Sequence, residues 1–245
     1  MAPLRAVFLD IGDTVMRPNP SWEHLYAIAF SEYGVEVGID ELRTALRRAY
    51  QHGGWGFTDG FDPTEETSFA RTMEIDRSAL AELGIDPMPE AFFRRLSELF
   101  MVTSNWHVFP EVPPTLTALE ERGLVIGAVS NWVWQLPELL HALDLVRHFD
   151  FIVASARIGF EKPHPEIFRR ALKKAHVAPA EAIHVGDHLD ADVQGALGAG
   201  IQPVLIDRHE RFNLDDLPPG TPLIRTLDEL IPIVDARLAA VARAS

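Results

Sequence analysis

Five short runs of aliphatic and β-branched residues punctuate the chain, at 6–9, 124–129, 151–154, 182–185 and 203–206. They are apolar on both sides rather than alternating, the pattern of parallel strands covered by helices on both faces. Stretches with apolar residues three and four apart lie between them, at 114–122, 136–143, 164–175 and 191–199, and predict helices. This alternation predicts an α/β fold: a doubly wound, parallel, Rossmann-like sheet. In such a sheet ligands gather at the carboxyl ends of the strands.

The rhythm breaks once. Between residues 17 and 105 there is no strand pattern, only amphipathic periods at 22–33, 40–52, 64–83 and 89–102. They predict an all-helical cap inserted after the first strand, with a core formed by 1–16 and 106–245 and a cap by 17–105. A glycine-rich aromatic turn, Gly53-Gly54-Trp55-Gly56-Phe57, interrupts these helices. The segment after Asp228 predicts a last helix packed on the core.

Composition narrows the choice of partners. The 245 residues include 36 acidic and 22 basic side chains, a formal net charge of −14, and no cysteine. Such a surface repels a polyphosphate backbone, so nucleic acid is not an expected partner. A small anionic substrate is compatible, because a metal ion and a few cations dominate the field inside one pocket. No run approaches the roughly 20 apolar residues of a membrane span. Residues 1–5 lead straight into a strand, leaving no signal peptide to expect, and thiolate or disulfide chemistry is excluded. A cytoplasmic location is the expectation, with the oligomeric state open.

Four polar clusters fall just beyond predicted strand ends: Asp10-Ile11-Gly12-Asp13-Thr14, Ser130-Asn131, Gly159-Phe160-Glu161-Lys162-Pro163 and Gly186-Asp187-His188-Leu189-Asp190-Ala191-Asp192. Any one of them reads equally well as a turn or a helix cap. Together they place carboxylates, a hydroxyl and an ammonium at one edge of the sheet. In their order and spacing they resemble the haloacid dehalogenase-like hydrolase superfamily. The gap between the first two is similar to the helical cap of its first cap class. HFDFIVASARIGFEKPHPEIF and HVGDHLDADVQGALGAG, within 148–200, carry the most specific part of the resemblance.

The resemblance implies a role for each residue. Asp10 is the expected nucleophile, forming an aspartyl-phosphate and so splitting one difficult step into two. Mg²⁺ is the expected cofactor, held by the carboxylates of Asp10 and Asp187 and the main-chain carbonyl of Gly12, with Asp192 binding directly or through water. Ser130 and Lys162 are expected to bind the phosphoryl group, Lys162 also favouring ionised Asp10. Asn131 is expected to orient the loop or a phosphate oxygen, with a purely structural role as the alternative.

One position departs from the family pattern. Most phosphatases of this class carry a second aspartate two residues after the nucleophile, as a general acid and base. Gly12 stands there, and Asp13, one residue later, is either its substitute or a turn former. The expected function is hydrolysis of a small phosphomonoester. A 2-haloacid dehalogenase, whose halide leaves without a proton, is an alternative, as is a weakly active binding or regulatory relative. Trp55, Phe57 and Phe61 are candidates for an aromatic pocket wall or for packing between cap and core, Trp132 and Trp134 for the pocket mouth or for packing on a helix surface, and His188 reads as a solvent-facing loop residue.

Overall fold

The computed structural model describes residues 2–49, 60–85 and 87–242. The chain opens with β1 (Ala6–Leu9) and a short β2 (Met16–Pro18), then enters four helices, α1 (Trp22–Glu32), α2 (Ile39–Ala49), α3 (Glu65–Glu82) and α4 (Glu90–Phe100). It returns through β3 (Trp106–Val108) and continues as α5 (Val112–Glu121), β4 (Val125–Ser130), α6 (Leu136–Ala142), β5 (Phe151–Ala154), α7 (Ser155–Ile158) and α8 (Pro165–Ala175). The last part runs through β6 (Ala182–Gly186), a π-helical turn (Leu189–Gln194), α9 (Gly195–Gly198), β7 (Gln202–Ile206), β8 (Leu223–Ile224) and α10 (Leu230–Ala242).

Six strands form one parallel sheet in the order β5-β4-β1-β6-β7-β8. β1 explains why the strand runs look uniformly apolar. Val7 and Leu9 join a cluster with Leu116 and Leu119 of α5, Leu139 of α6 and Val234 of α10. Ala6 and Phe8 point to the opposite cluster, with Phe168 and Ala171 of α8 and Ala196 of α9. Both faces are covered, so no position is free to be polar. From β1 the chain winds outward through β4 and β5 on one side and through β6, β7 and β8 on the other. The crevice between the carboxyl ends of β1, β4 and β6 is therefore a topological switch point, where open α/β sheets bind ligands.

Helices α1–α4 bury a cluster of their own, including Leu25, Phe30, Leu42, Leu80, Phe92 and Leu96. The amphipathic spacing is visible in α2, where Leu42, Ala45, Leu46 and Ala49 are buried. Thr64 caps α3, its hydroxyl accepting from the Thr67 amide at 3.1 Å. The two crossings between helices and sheet are tied by an antiparallel pair, Met16 with Val108 and Pro18 with Trp106. That pair was not anticipated: three residues ending in proline carry no strand signal.

A second difference lies at 191–199, where one helix was expected. The chain forms the π-helical turn first and only four residues of α9. The amides of Asp192 and Val193 both donate to the His188 carbonyl, at 2.9 and 3.3 Å, which widens the turn. Asp192 is thereby carried to the inside of the sheet edge.

Candidate active site

Asp10 follows the last residue of β1, its amide donating to the Val185 carbonyl at 2.8 Å, and it is almost fully buried. Ser130, the last residue of β4, donates from Oγ to Asp10 Oδ1 at 2.8 Å. Lys162 reaches the same oxygen from Nζ at 2.5 Å and donates to Asp192 Oδ1 at 2.6 Å. With the Lys162 side chain 2% exposed, this is a buried carboxylate–ammonium–carboxylate row. Burial opposes charge on Lys162, but Asp10 and Asp192 overcome it and raise its pKa. Burial likewise raises Asp10, reinforced by Asp192 and opposed by Lys162 and Ser130. The ammonium pulls Asp10 toward ionisation, as expected, without outweighing desolvation.

Asp192 uses both of its oxygens. Besides Lys162, Oδ1 accepts from His184 Nε2 at 2.8 Å, and Oδ2 accepts from the His188 amide at 3.0 Å. Burial works against its ionisation, yet these donors hold its carboxyl well below the usual range. The close approach requires glycine at 186: a Cβ there would lie 2.1 Å from Asp192 Cγ. His184 is fully buried in β6 and was not anticipated. Its imidazole sits in a run otherwise read as apolar, with Nδ1 buried and unpartnered.

Asp187 completes the acidic group. Asp10, Asp187 and Asp192 each offer an oxygen within 4.8 Å of the others. The Asp187 carboxyl is pushed up to about 8, mainly by burial and then by the charges of Asp10, Asp192 and Asp13, with Arg211 pulling the other way. Asp13 has φ +50°, its amide donates to the Met16 carbonyl at 2.8 Å, and its Oδ1 lies 3.9 Å from His209 Nε2. It sits in a tight turn and contributes charge to the same site.

The loop after β7 supplies cations that sequence reasoning missed. Arg208, its side chain 8% exposed, donates to the carbonyls of Asp13 (3.1 Å) and Thr14 (2.7 Å) and pairs with Glu111 at 2.7 Å. Arg211 donates to Asp187. On a polar loop such residues resemble solvated charges, and no spacing rule distinguishes them.

The remaining candidates divide. Asn131 pairs with the Lys162 main chain in both directions, Nδ2 to the carbonyl at 2.9 Å and Oδ1 from the amide at 2.6 Å, so it orients the lysine loop. Gly12 lies under an indole: an added Cβ would meet Trp132 Cζ3 at 3.3 Å. Trp132 packs at a tilt against Trp22 and Trp106, at centroid distances of 5.9 and 5.5 Å. Trp134 instead joins α3 and α7, its amide donating to Ser68 Oγ at 3.3 Å and its carbonyl accepting from Arg157 at 2.7 Å. His188 is exposed and caps the π-helical turn, Nδ1 accepting from the Ala191 amide at 3.2 Å. Phe61 donates its amide to the Gly159 carbonyl at 2.9 Å and carries the Arg71 guanidinium over its ring at 4.3 Å. Trp55 and Phe57 lie outside the described residues. Arg71, on α3, also pairs at 3.3 Å with Glu161, the buried neighbour of Lys162.

The haloacid dehalogenase-like hydrolase family model matches residues 4–200. A zebrafish (Danio rerio) haloacid dehalogenase-like hydrolase domain-containing protein 3 is 30% identical over 236 residues, spanning 93% of this chain and 95% of that one. A glyceraldehyde 3-phosphate phosphatase from Methanopyrus kandleri is 41% identical over 230 residues, spanning 88% and 91%. A Bacillus subtilis HAD-hydrolase structure, YfnB bound to magnesium, superposes with a TM-score of 0.74 at 21% identity, over 96% of this chain and all of that one, which shows a shared fold. No helix among the described residues is long and apolar enough to cross a membrane. The family match covers the strands and the loops that bring Asp10, Ser130, Lys162 and Asp187 together, and the chain belongs to the haloacid dehalogenase-like hydrolases.

Proposed function

We propose that the chain is a Mg²⁺-dependent phosphatase acting on a small phosphomonoester through an aspartyl-phosphate at Asp10. The observation that supports this most is the convergence of Asp10, Ser130, Lys162, Asp187 and Asp192 at one switch point, with three carboxylate oxygens within 4.8 Å.

A hard divalent cation fits these residues. The donors are all oxygens, three clustered carboxylates of which Asp10 and Asp192 share one buried ammonium and Asp187 meets the half-exposed Arg211. Asp10 and Asp187 would hold the ion, with the Gly12 carbonyl as a further ligand. Asp192, its oxygens already taken, would act through water. When bound, the ion screens the approach of the anionic phosphoryl group and stabilises charge in its transfer.

The chain's own residues perform the rest. Ser130 and Lys162 both donate to Asp10 Oδ1, which leaves Oδ2 as the oxygen that attacks phosphorus while the ester oxygen departs. The same hydroxyl and ammonium neutralise phosphoryl charge. Water then hydrolyses the acyl phosphate, releasing inorganic phosphate and regenerating Asp10. Gly12 carries no proton donor, and Asp13, on the same turn, is the carboxylate that exchanges a proton with the leaving group.

Phosphate release from an aryl phosphate with Mg²⁺ tests the reading, with Asp10→Asn as control. Activity in the wild type alone supports it; none in either protein, or equal activity in both, overturns it. Gly12 under Trp132 favours a second reading, a dehalogenase, whose halide needs no proton. Metal-independent chloride release from a 2-haloacid would select it. A Mg²⁺-dependent rise in Tm without either activity would select a binding module.

A further inference from the structure

Asp187 stands where it is least welcome. It offers an oxygen within 4.8 Å of oxygens of Asp10 and Asp192, so with all three ionised each carboxylate repels the other two and nothing in the group itself holds Asp187 in place. Among the described residues one cation grips it. Arg211 Nη2 donates to both the main-chain carbonyl of Asp187, at 2.9 Å, and its Oδ2, at 3.0 Å. Swinging the carboxylate away breaks the side-chain bond, while the main-chain bond holds the guanidinium in place. Only Oδ2 is taken, leaving the other oxygen for a ligand.

Arg211 is itself anchored. Its Nε lies 3.4 Å from Oδ1 of Asp207, a fully buried carboxylate at the end of β7. Asp207 Oδ2 accepts from the Phe212 amide at 2.9 Å and from Arg225 Nη1 at 2.6 Å. Arg225, Asp207, Arg211 and Asp187 thus alternate in charge, from the sheet edge to the acidic site. A half-exposed arginine on a loop would otherwise sample many rotamers; here a buried carboxylate selects one.

Building on the metal-assisted reading above, we propose that Arg211 is a positioning residue that holds Asp187 in the orientation that binds the divalent cation, with Asp207 as its anchor. Its own positive charge opposes the ion, but 42% exposure of the side chain lets solvent screen that repulsion, whereas the hydrogen bonds act at contact. Outer-shell partners of this kind typically alter metal affinity about 10–100-fold.

Calorimetric titration of the full chain with Mg²⁺, without substrate, tests the proposal in the wild type, Arg211→Ala and Arg211→Gln. The alanine variant should bind about tenfold more weakly. The glutamine variant, uncharged but still an N–H donor, should recover most of that loss. Affinity in Arg211→Ala equal to or tighter than wild type overturns the positioning role, as does equal weakening in both variants. Absence of Mg²⁺ binding by the wild type overturns the metal site and this role with it. Normal Mg²⁺ binding without phosphate release would sink the phosphatase reading and leave the role of Arg211 standing.

Discussion

Glu161→Gln should make the protein more stable at alkaline pH than at acid pH, relative to wild type. Glu161 is 8% exposed beside Lys162; Oε1 meets Arg71 at 3.3 Å, and Oε2 is buried with no partner. Burial pushes its carboxyl from 4.5 to about 7, with Arg71 pulling the other way. A carboxyl raised in the folded state binds its proton more tightly there than in the unfolded chain. Its stabilising contribution is complete below about pH 4.5 and is lost as pH rises to about 7. The full loss is roughly 3 kcal/mol at about 1.4 kcal/mol per pH unit, and about 2 kcal/mol of it falls between pH 5 and pH 8. Glutamine keeps the shape and does not titrate, while the partly exposed contact with Arg71 that it gives up is worth at most about 1 kcal/mol. Urea denaturation followed by tryptophan fluorescence at the two pH values measures the difference between variant and wild type. That difference should move in favour of the variant by about 2 kcal/mol on going to pH 8, or roughly 4–8 °C in Tm. A difference that stays constant or moves the other way would refute the reasoning.

Lys162→Met removes the ammonium from between Asp10 and Asp192 and should lower kcat about a hundredfold to a thousandfold, with circular dichroism confirming the fold; a loss under tenfold contradicts its role at the phosphoryl group. Gly186→Ala puts a Cβ 2.1 Å from Asp192 Cγ, so β6 or the π-helical turn must shift. The expected cost is roughly 1–3 kcal/mol in denaturant unfolding, and an unchanged midpoint would show that the site is looser than described. Asp13→Ala should slow an alkyl phosphate more than an aryl phosphate, because only the former needs its leaving oxygen protonated; equal effects on both rates would remove Asp13 from proton transfer.

The parts of the fold that announced themselves are those governed by burial. β1, β4, β5, β6 and β7 are apolar on both faces because helices cover both, so their runs stood out within a residue or two of the observed bounds. Three of the polar clusters were legible for a related reason, since they follow β1, β4 and β6, whose ends form the switch point, while the one with Lys162 lies beyond α7 after β5. What escaped depends on partners distant in sequence. The bond from His184 to Asp192 looks like one polar residue in an apolar strand. Arg71 meets Glu161 across ninety positions, a pairing that no local pattern encodes. The π-helical turn passed for the start of a regular helix, because its apolar spacing carries no sign of the widened turn, and Arg208 and Arg211 acquire meaning only once β7 lies beside β6. Asn131 was legible as a residue that orients either a loop or a phosphate oxygen, and only the folded chain shows that its amide grips the Lys162 main chain.

The central claim is that Asp10 is phosphorylated in turnover. Acid quenching of the wild type during turnover of an aryl phosphate with Mg²⁺, followed by peptide mass spectrometry, should find one phosphoryl group on the peptide containing Asp10. That adduct should be labile to hydroxylamine and absent from Asp10→Asn. Rapid turnover with no phosphoryl group on that peptide, or with the group on another residue, would contradict the account.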